Sequence, residues 1–166
     1  MIRGLTEAEF RDLFLDLMGE VEAGDRYDSG DVFHREWLDE RISRRFAGWA
    51  EFFGEFGERD VAIGFVGVEV EPRLKCVPYT GQYSEIVAIG VRSEHRRLGH
   101  GRRLLAFAEQ FAHRQGAHCL YVAAYEGSAE AISFYVDSGF SPVAVLPGVY
   151  GPAAKGRIYL RKLLEP

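Results

Sequence analysis

The stretch that most constrains this chain is Val91 to Arg103, V-R-S-E-H-R-R-L-G-H-G-R-R. Before it, Ser84–Val91 reads as a strand with apolar residues on both faces, as a central strand requires. After it, Leu104, Leu105, Ala108, Phe111 and Ala112 recur at helical spacing, which predicts a helix over about Arg102–Gln115. The chain must therefore pass from a buried strand into an amphipathic helix within one short turn. Gly99 and Gly101 remove side chains where the backbone bends sharply and where a ligand can come close. Free N–H groups at a helix start, with the helix dipole behind them, form an anion site.

The charges point the same way. Arg96, Arg97, Arg102 and Arg103, with His95 and His100, crowd the positive end of that helix. Each exposed cation there opposes the dipole by roughly 0.3–1 kcal/mol. In the local sequence only Glu94 has the favourable sign. Such a turn makes sense when phosphates occupy it; an arginine-rich turn without function is the bland alternative. Other phosphate motifs fit poorly. No Gly-Lys-Ser/Thr follows Gly101, and Leu104 stands where a dinucleotide fingerprint needs glycine or alanine.

The rest of the chain supplies a mixed α/β frame. Met1–Leu5 reads as a short edge strand, and Thr6-Glu-Ala-Glu9 as a capping box opening a helix that carries Phe10, Leu13, Phe14, Leu17, Met18 and Val21 inward. A second helix is expected over about Val32–Ala47. Glu51–Phe56 and Val61–Glu71 flank Gly57–Asp60 as a hairpin. Cys119–Ala124, Val143–Leu146 and Arg157–Leu163 are further strands, and Ser128–Ser138 is a helix closed by Gly139, as Gly116 closes the one before. No linker or repeat splits the 166 residues, which are 47% hydrophobic, so a single domain over 1–166 is expected.

Several function classes are disfavoured. No apolar run approaches the roughly 20 residues of a membrane helix, and the start lacks a basic-then-apolar export signal. Cys76 and Cys119 have no metal-ligand spacing and read as reduced thiols, so the expected location is cytoplasmic and no metal is expected. No basic stripe with interleaved aromatics suggests nucleic acid. Residues 1–60 carry 16 acidic against 8 basic side chains, and residues 61–166 carry 9 against 12, within a net charge of −5. The first part thus leans toward cationic partners and the second toward anionic ones, unless the acids simply solvate helix faces.

The turn and a second element together resemble the GNAT superfamily of acyl-CoA-dependent N-acyltransferases. The family signature Gln/Arg-x-x-Gly-x-Gly/Ala after a central strand is matched by Arg96, Gly99 and Gly101. The element Asn-x-x-Ala-x-x-Phe/Leu-Tyr-x-x-x-Gly-Phe reads here from Ser128 through Ala131, Phe134 and Tyr135 to Gly139 and Phe140. The match covers about residues 84–140, and element order extends it loosely over the chain. Ser128 departs from the asparagine frequent in the family, which touches a contact to the pantetheine arm.

The resemblance implies a mostly antiparallel mixed sheet flanked by about four helices, with acetyl-CoA as acyl donor. It implies that backbone N–H groups from about Leu98 to Arg103, through Gly99, His100, Gly101 and Arg102, hold the pyrophosphate, with the Arg96, Arg97 or Arg102 guanidinium joining the nucleotide's phosphates. It assigns main-chain contacts with the pantetheine arm to Ile89 and Val91, and a polar contact to Ser128. The acceptor is then a primary amine of a small molecule or peptide, attacked directly on the thioester. Tyr135 is the proposed general acid, since a phenol protonates a departing thiolate without being lost at neutral pH. Glu85, at the start of the central strand, is the candidate base, with Glu126 as competitor and no dedicated base as a third option. The 24–36 turn, the 72–83 loop and 146–157, with Tyr27, Tyr79, Tyr83, Tyr125 and Tyr150, are expected to line the acceptor site. Many relatives form homodimers, though no stretch here specifies an interface. A non-catalytic acyl-CoA sensor is the competing reading, and a nucleotide-binding or structural domain the third.

Overall fold

A computed structural model describes residues 1–24, 50–70, 82–148 and 155–164, with the side chains of 18–24 left aside. The helix expected over 32–47 lies outside the described residues, as do Tyr27, Tyr79 and Tyr150.

Helix α1, Glu7–Gly24, begins where the sequence places a cap. Thr6 Oγ1 accepts the Glu9 N–H at 3.3 Å, and Glu9 Oε2 accepts the Thr6 N–H at 2.9 Å. Both bonds of the capping box are made, so two orphan donors are satisfied at once. Arg3 adds a 2.8 Å bond to Glu9. These partners hold the Glu9 carboxyl far below the usual range, at about 2, with Arg3 the largest cause. One face of α1 buries Phe10, Leu13 and Leu17. The Phe10 ring lies 4.2 Å from that of Phe52 and edge-on to Phe65 at 5.0 Å.

The strands are β1 Ile2–Gly4, β2 Glu51–Phe56, β3 Ala62–Val70, β4 Tyr83–Val91, β5 Cys119–Tyr125, β6 Ser141–Leu146 and β7 Arg157–Leu163, hydrogen-bonded in the order β1-β2-β3-β4-β5-β7-β6. The sheet is mixed and mostly antiparallel. β1–β2, β2–β3, β5–β7 and β6–β7 are antiparallel, and β4–β5 is parallel. The β2–β3 connection carries a short 3-10 turn, Glu58–Asp60, with Arg59 and Asp60 at φ 61° and 57°. The β4–β5 ladder runs only from Tyr83↔Cys119 to Ile86↔Val122, although β4 continues to Val91.

Besides α1, the described residues contain α2 His100–Arg114 and α3 Ala129–Asp137. The predicted inward residues of α2 are all buried. Its start lies two residues earlier than the sequence suggests, because the turn is completed at Gly99, with φ 86°, leaving Gly101 inside the helix. Both helices end on a glycine in the left-handed region, Gly116 and Gly139. In each the next residue bonds back across the glycine: Ala117 N–H to Ala112 O and Phe140 N–H to Tyr135 O, both at 3.0 Å. None of the described helices is long and apolar enough to cross a membrane.

The chain divides into two compact units, Met1–Val68 with Ala88–Ala108 and Glu69–Val87 with Glu109–Pro166. The divisions fall inside β3, β4 and α2, and the two units are taken in turn below.

Candidate active site

In the first unit, the turn after β4 is held from several directions. Arg92 donates from its backbone to Ile63 O at 2.9 Å, from Nε to Ala62 O at 2.8 Å and from Nη2 to Asp16 at 2.9 Å. Arg96 folds back, its Nε on Val91 O at 3.0 Å. That bond anchors the strand end, a structural task that sequence reading did not give Arg96. Arg97 stands at φ 63° and Gly99 at φ 86°, so the backbone passes twice through the left-handed region before α2 begins. A Cβ on Gly99 meets nothing nearer than Arg103 Nη1 at 3.5 Å, so the outer side of the turn is open.

The main chain there offers donors. Arg103 N–H bonds Gly99 O at 3.1 Å, which removes it from the expected set of anion-binding amides. The N–H groups of Leu98 and Gly99 lie in the turn, and those of His100, Gly101 and Arg102 in the first turn of α2, where amides have no intrahelical acceptor. Leu98 is 62% exposed, and Arg96, Arg97, Arg102 and Arg103 are exposed as well. Val87–Val91 run past the end of the β5 ladder, which leaves Ile89 and Val91 half-buried with no ladder partner on that side among the described residues.

One carboxylate at this turn was not anticipated. Glu55 of β2 is only 6% exposed. Its Oε1 accepts Arg103 Nε at 2.7 Å, and its Oε2 lies 3.1 Å from His100 Nδ1, within ion-pair reach but not aligned as a hydrogen bond. Arg103 Nη2 meets the same His100 Nδ1 at 2.7 Å. The cause is a match of periods. Phe53 and Glu55 share one face of β2, while Phe107 and Arg103 stand one helical turn apart on α2. The Phe53 ring meets that of Phe107 at 4.8 Å, tilted by 58°, and Glu55 meets Arg103. A glutamate set among Phe52, Phe53, Gly54 and Phe56 was the available signal; its partner lies 48 residues away.

In the second unit, Glu85 of β4 is held in a half-buried place. Burial raises its carboxyl to about 7, the nearby Glu69 carboxylate adds to the rise, and Arg157 pulls it back. Glu69 and Arg157 were not singled out from sequence. Tyr135 is fixed at the end of α3. Its carbonyl accepts the N–H groups of Ser138 and Phe140, and its ring meets Phe140 at 5.7 Å and Phe134 at 5.2 Å. The segment from Tyr135 to Phe140 is thus a helix-ending motif in which the tyrosine is the clamped residue. Tyr135 is 6% exposed, its hydroxyl bonds no described residue, and burial alone pushes its pKa well up.

Ser128 and Glu126 each have a local setting. Ser128 occupies the N-cap position of α3 but its side chain makes no capping bond. Its backbone does the local work instead, N–H to Tyr125 O and carbonyl to Ile132 N–H. Glu126 is occupied: its Oε2 accepts Gly156 N–H at 2.8 Å, and its own N–H donates to Gly156 O at 3.0 Å. This clasp gives it a structural task. Of the tyrosines expected near an acceptor, Tyr83 packs edge-on against Tyr121 at 5.6 Å, and Tyr125 is half-buried.

A family model for the acetyltransferase (GNAT) family matches residues 9–140. The chain belongs to this family. As a GNAT acetyltransferase it uses acetyl-CoA as acyl donor. No sequence among curated proteins matches it. Solved structures share its fold. A ribosomal-protein-alanine N-acetyltransferase from Brucella melitensis is 21% identical over 99% of both chains, with a TM-score of 0.71. An aminoglycoside 6'-N-acetyltransferase complexed with coenzyme A is 19% identical over 100% of this chain and 98% of that one, also with a TM-score of 0.71. The turn of this GNAT chain fits such a donor: the amides at the start of α2, an open glycine and surrounding cations suit a diphosphate.

Proposed function

We propose that this acetyltransferase moves the acetyl group of acetyl-CoA to a primary amine of a small molecule or peptide, by direct attack, with Glu85 as general base and Tyr135 as general acid. Bound acetyl-CoA supplies the thioester whose acetyl group is transferred and whose thiolate departs. The amides of Leu98 to Arg102 hold its diphosphate, aided by the surrounding guanidinium groups. The main chain of Ile89 and Val91, beyond the β5 ladder, orients the pantetheine arm, with the Val91 carbonyl shared with Arg96 Nε, and the Ser128 hydroxyl, which caps nothing, contributes a polar contact.

The observation that carries the acid–base assignment is the contrast between two buried groups. Burial and Glu69 hold Glu85 near neutrality, so it takes a proton from an acceptor ammonium at physiological pH. Burial alone keeps Tyr135 protonated, and its O–H donates to the leaving sulfur. The same burial raises the basicity of a thiolate expelled beside it, which offsets the weaker acidity of the phenol. The proton balance closes over two transfers: the ammonium gives one proton to Glu85 before attack, Tyr135 gives one to the departing sulfur as the C–S bond breaks, and the second proton lost by nitrogen as the amide forms restores the Tyr135 phenol.

The acceptor class is supported by the acidic balance of residues 1–60 and by the Glu69 and Glu85 carboxylates, which favour a cation. The two relatives' names span a peptide amine and an aminoglycoside, and a polyamine is the third member of the panel to test. Incubation with acetyl-CoA and such amines, followed by thiol release and mass gain of the acceptor, tests the reading. Acetyl transfer to no amine in the panel, despite tight coenzyme A binding, would overturn it.

A further inference from the structure

Four arginines surround the turn, yet the structure gives them different tasks. Arg96 is tied by Nε to the end of β4, and Arg102 is exposed and held by no described residue. Arg103 is gripped as a fork. Its Nε is on Glu55 and its Nη2 on His100, while its Nη1 lies 3.5 Å from where a Gly99 Cβ would stand. The gripping carboxylate is 94% out of solvent, and its second oxygen is buried without a hydrogen bond. A buried carboxylate left half-satisfied is costly, so its place under the helix start calls for a reason.

We propose that Glu55 is a positioning residue, holding Arg103 across the outside of the Gly99 turn so that the free Nη1 edge meets the donor's diphosphate. The proposal rests on reading the turn as the diphosphate site, and adds the side chain that recognises it and the residue that aims that side chain. A guanidinium already fixed at two nitrogens loses little freedom on meeting a phosphate, and its planar fork suits phosphate geometry. Phe53 on Phe107 and Glu55 on Arg103 fix the helix and the fork to one strand face, so the aim is set by the core.

The sign of the effect separates this role from simple charge. Removing a carboxylate near an anion site should by electrostatics alone tighten anion binding. Losing the aim of Arg103 should weaken it. The test measures dissociation constants for coenzyme A and for pantetheine, which lacks the diphosphate, by calorimetry, and takes their ratio as the readout. In Arg103→Ala and in Glu55→Ala the preference for coenzyme A should fall about tenfold. Glu55→Gln keeps an oxygen for Arg103 Nε and should retain the preference within about twofold. The double variant should be no worse than Arg103→Ala alone, because both changes remove one contact.

A wild-type preference with Arg103→Ala unchanged would overturn the proposal, as would single losses that multiply in the double variant. Should Glu55→Ala fail to fold, Arg103→Ala and Arg103→Lys, on a half-exposed side chain, carry the test alone: the first must lose the preference and the second must not restore the full fork. Equal binding of coenzyme A and pantetheine by the wild type is a different failure, since it removes the diphosphate reading of the turn itself.

Discussion

The turn between β4 and α2 works with groups whose charge is fixed. The Glu85 and Tyr135 environments work with groups whose charge is set by burial. At the turn, amides and guanidinium groups keep their character at any physiological pH, and geometry decides what they do. Around Glu85 and Tyr135 the side chains are ordinary, and desolvation makes one carboxyl titrate near 7 and one phenol stay neutral. Changes at the turn should therefore move donor affinity with little effect on the rate of transfer. Changes at the buried groups should do the reverse.

The largest effect is expected at Tyr135. Tyr135→Phe keeps the ring against Phe140 and the helix-ending bonds, and removes only the hydroxyl. Turnover should fall about a hundredfold, within the usual range for a general acid. Coenzyme A affinity should stay within about twofold by calorimetry. A variant with full turnover on a confirmed acceptor would end the acid assignment. Because burial raises the phenol, the wild-type pH profile should show no falling limb from Tyr135 below about pH 10.

Glu85 gives a two-part prediction. Its base form exists above about 7, so kcat/KM should rise through that pH and level off. Glu85→Gln should lower turnover about thirtyfold and abolish that limb, as expected for loss of a general base. Stability should move the other way. The folded carboxyl at about 7 lies above its unfolded value of 4.5, so the folded state holds the proton more tightly. Wild-type stability from this group is therefore lost as pH rises from about 4.5 to about 7, a cost approaching about 3 kcal/mol above that window. Denaturant unfolding at pH 5 and pH 8 should find Glu85→Gln more stable than wild type chiefly at pH 8. An equal difference at both pH values would contradict the burial argument.

Gly99 tests the other side of the comparison. At φ 86° an added Cβ has open space but the wrong backbone preference, worth roughly 1–2 kcal/mol. Gly99→Ala should relieve that strain by turning the amides away. Coenzyme A affinity should drop about tenfold, while turnover at saturating donor stays near wild type. A fall in turnover with unchanged affinity would mean the two regions do not divide the work in this way.

The same division explains what could be read from sequence. Local patterns were legible: the Thr6–Glu9 box, the glycine ends at Gly116 and Gly139, and the strand-to-helix passage at Gly99 each need only a few consecutive residues. The seven strands followed, because alternation and turn residues are local as well. Glu55 was illegible, since its meaning comes from α2 residues far along the chain. Glu126 looked like a free carboxylate until Gly156 was seen to bind it, and the Glu69 neighbour of Glu85 comes from another strand. Pairings between distant segments are set by packing, which one sequence does not print.

Ser128 offers the smallest effect and the finest cut. A serine at an N-cap is usually kept for the helix, and its replacement by alanine then costs about 1 kcal/mol. Here the hydroxyl makes no capping bond, so Ser128→Ala should leave stability within about 0.3 kcal/mol of wild type, far below the cost of losing a working cap. If the hydroxyl instead bonds the pantetheine arm, the same variant should raise KM for acetyl-CoA about threefold, the value of one neutral hydrogen bond. Ser128→Asn, which restores the family residue, should lower it. A stability loss near 1 kcal/mol with unchanged KM would return the residue to the helix, and the pantetheine contact would then have to come from the main chain of Ile89 and Val91 alone.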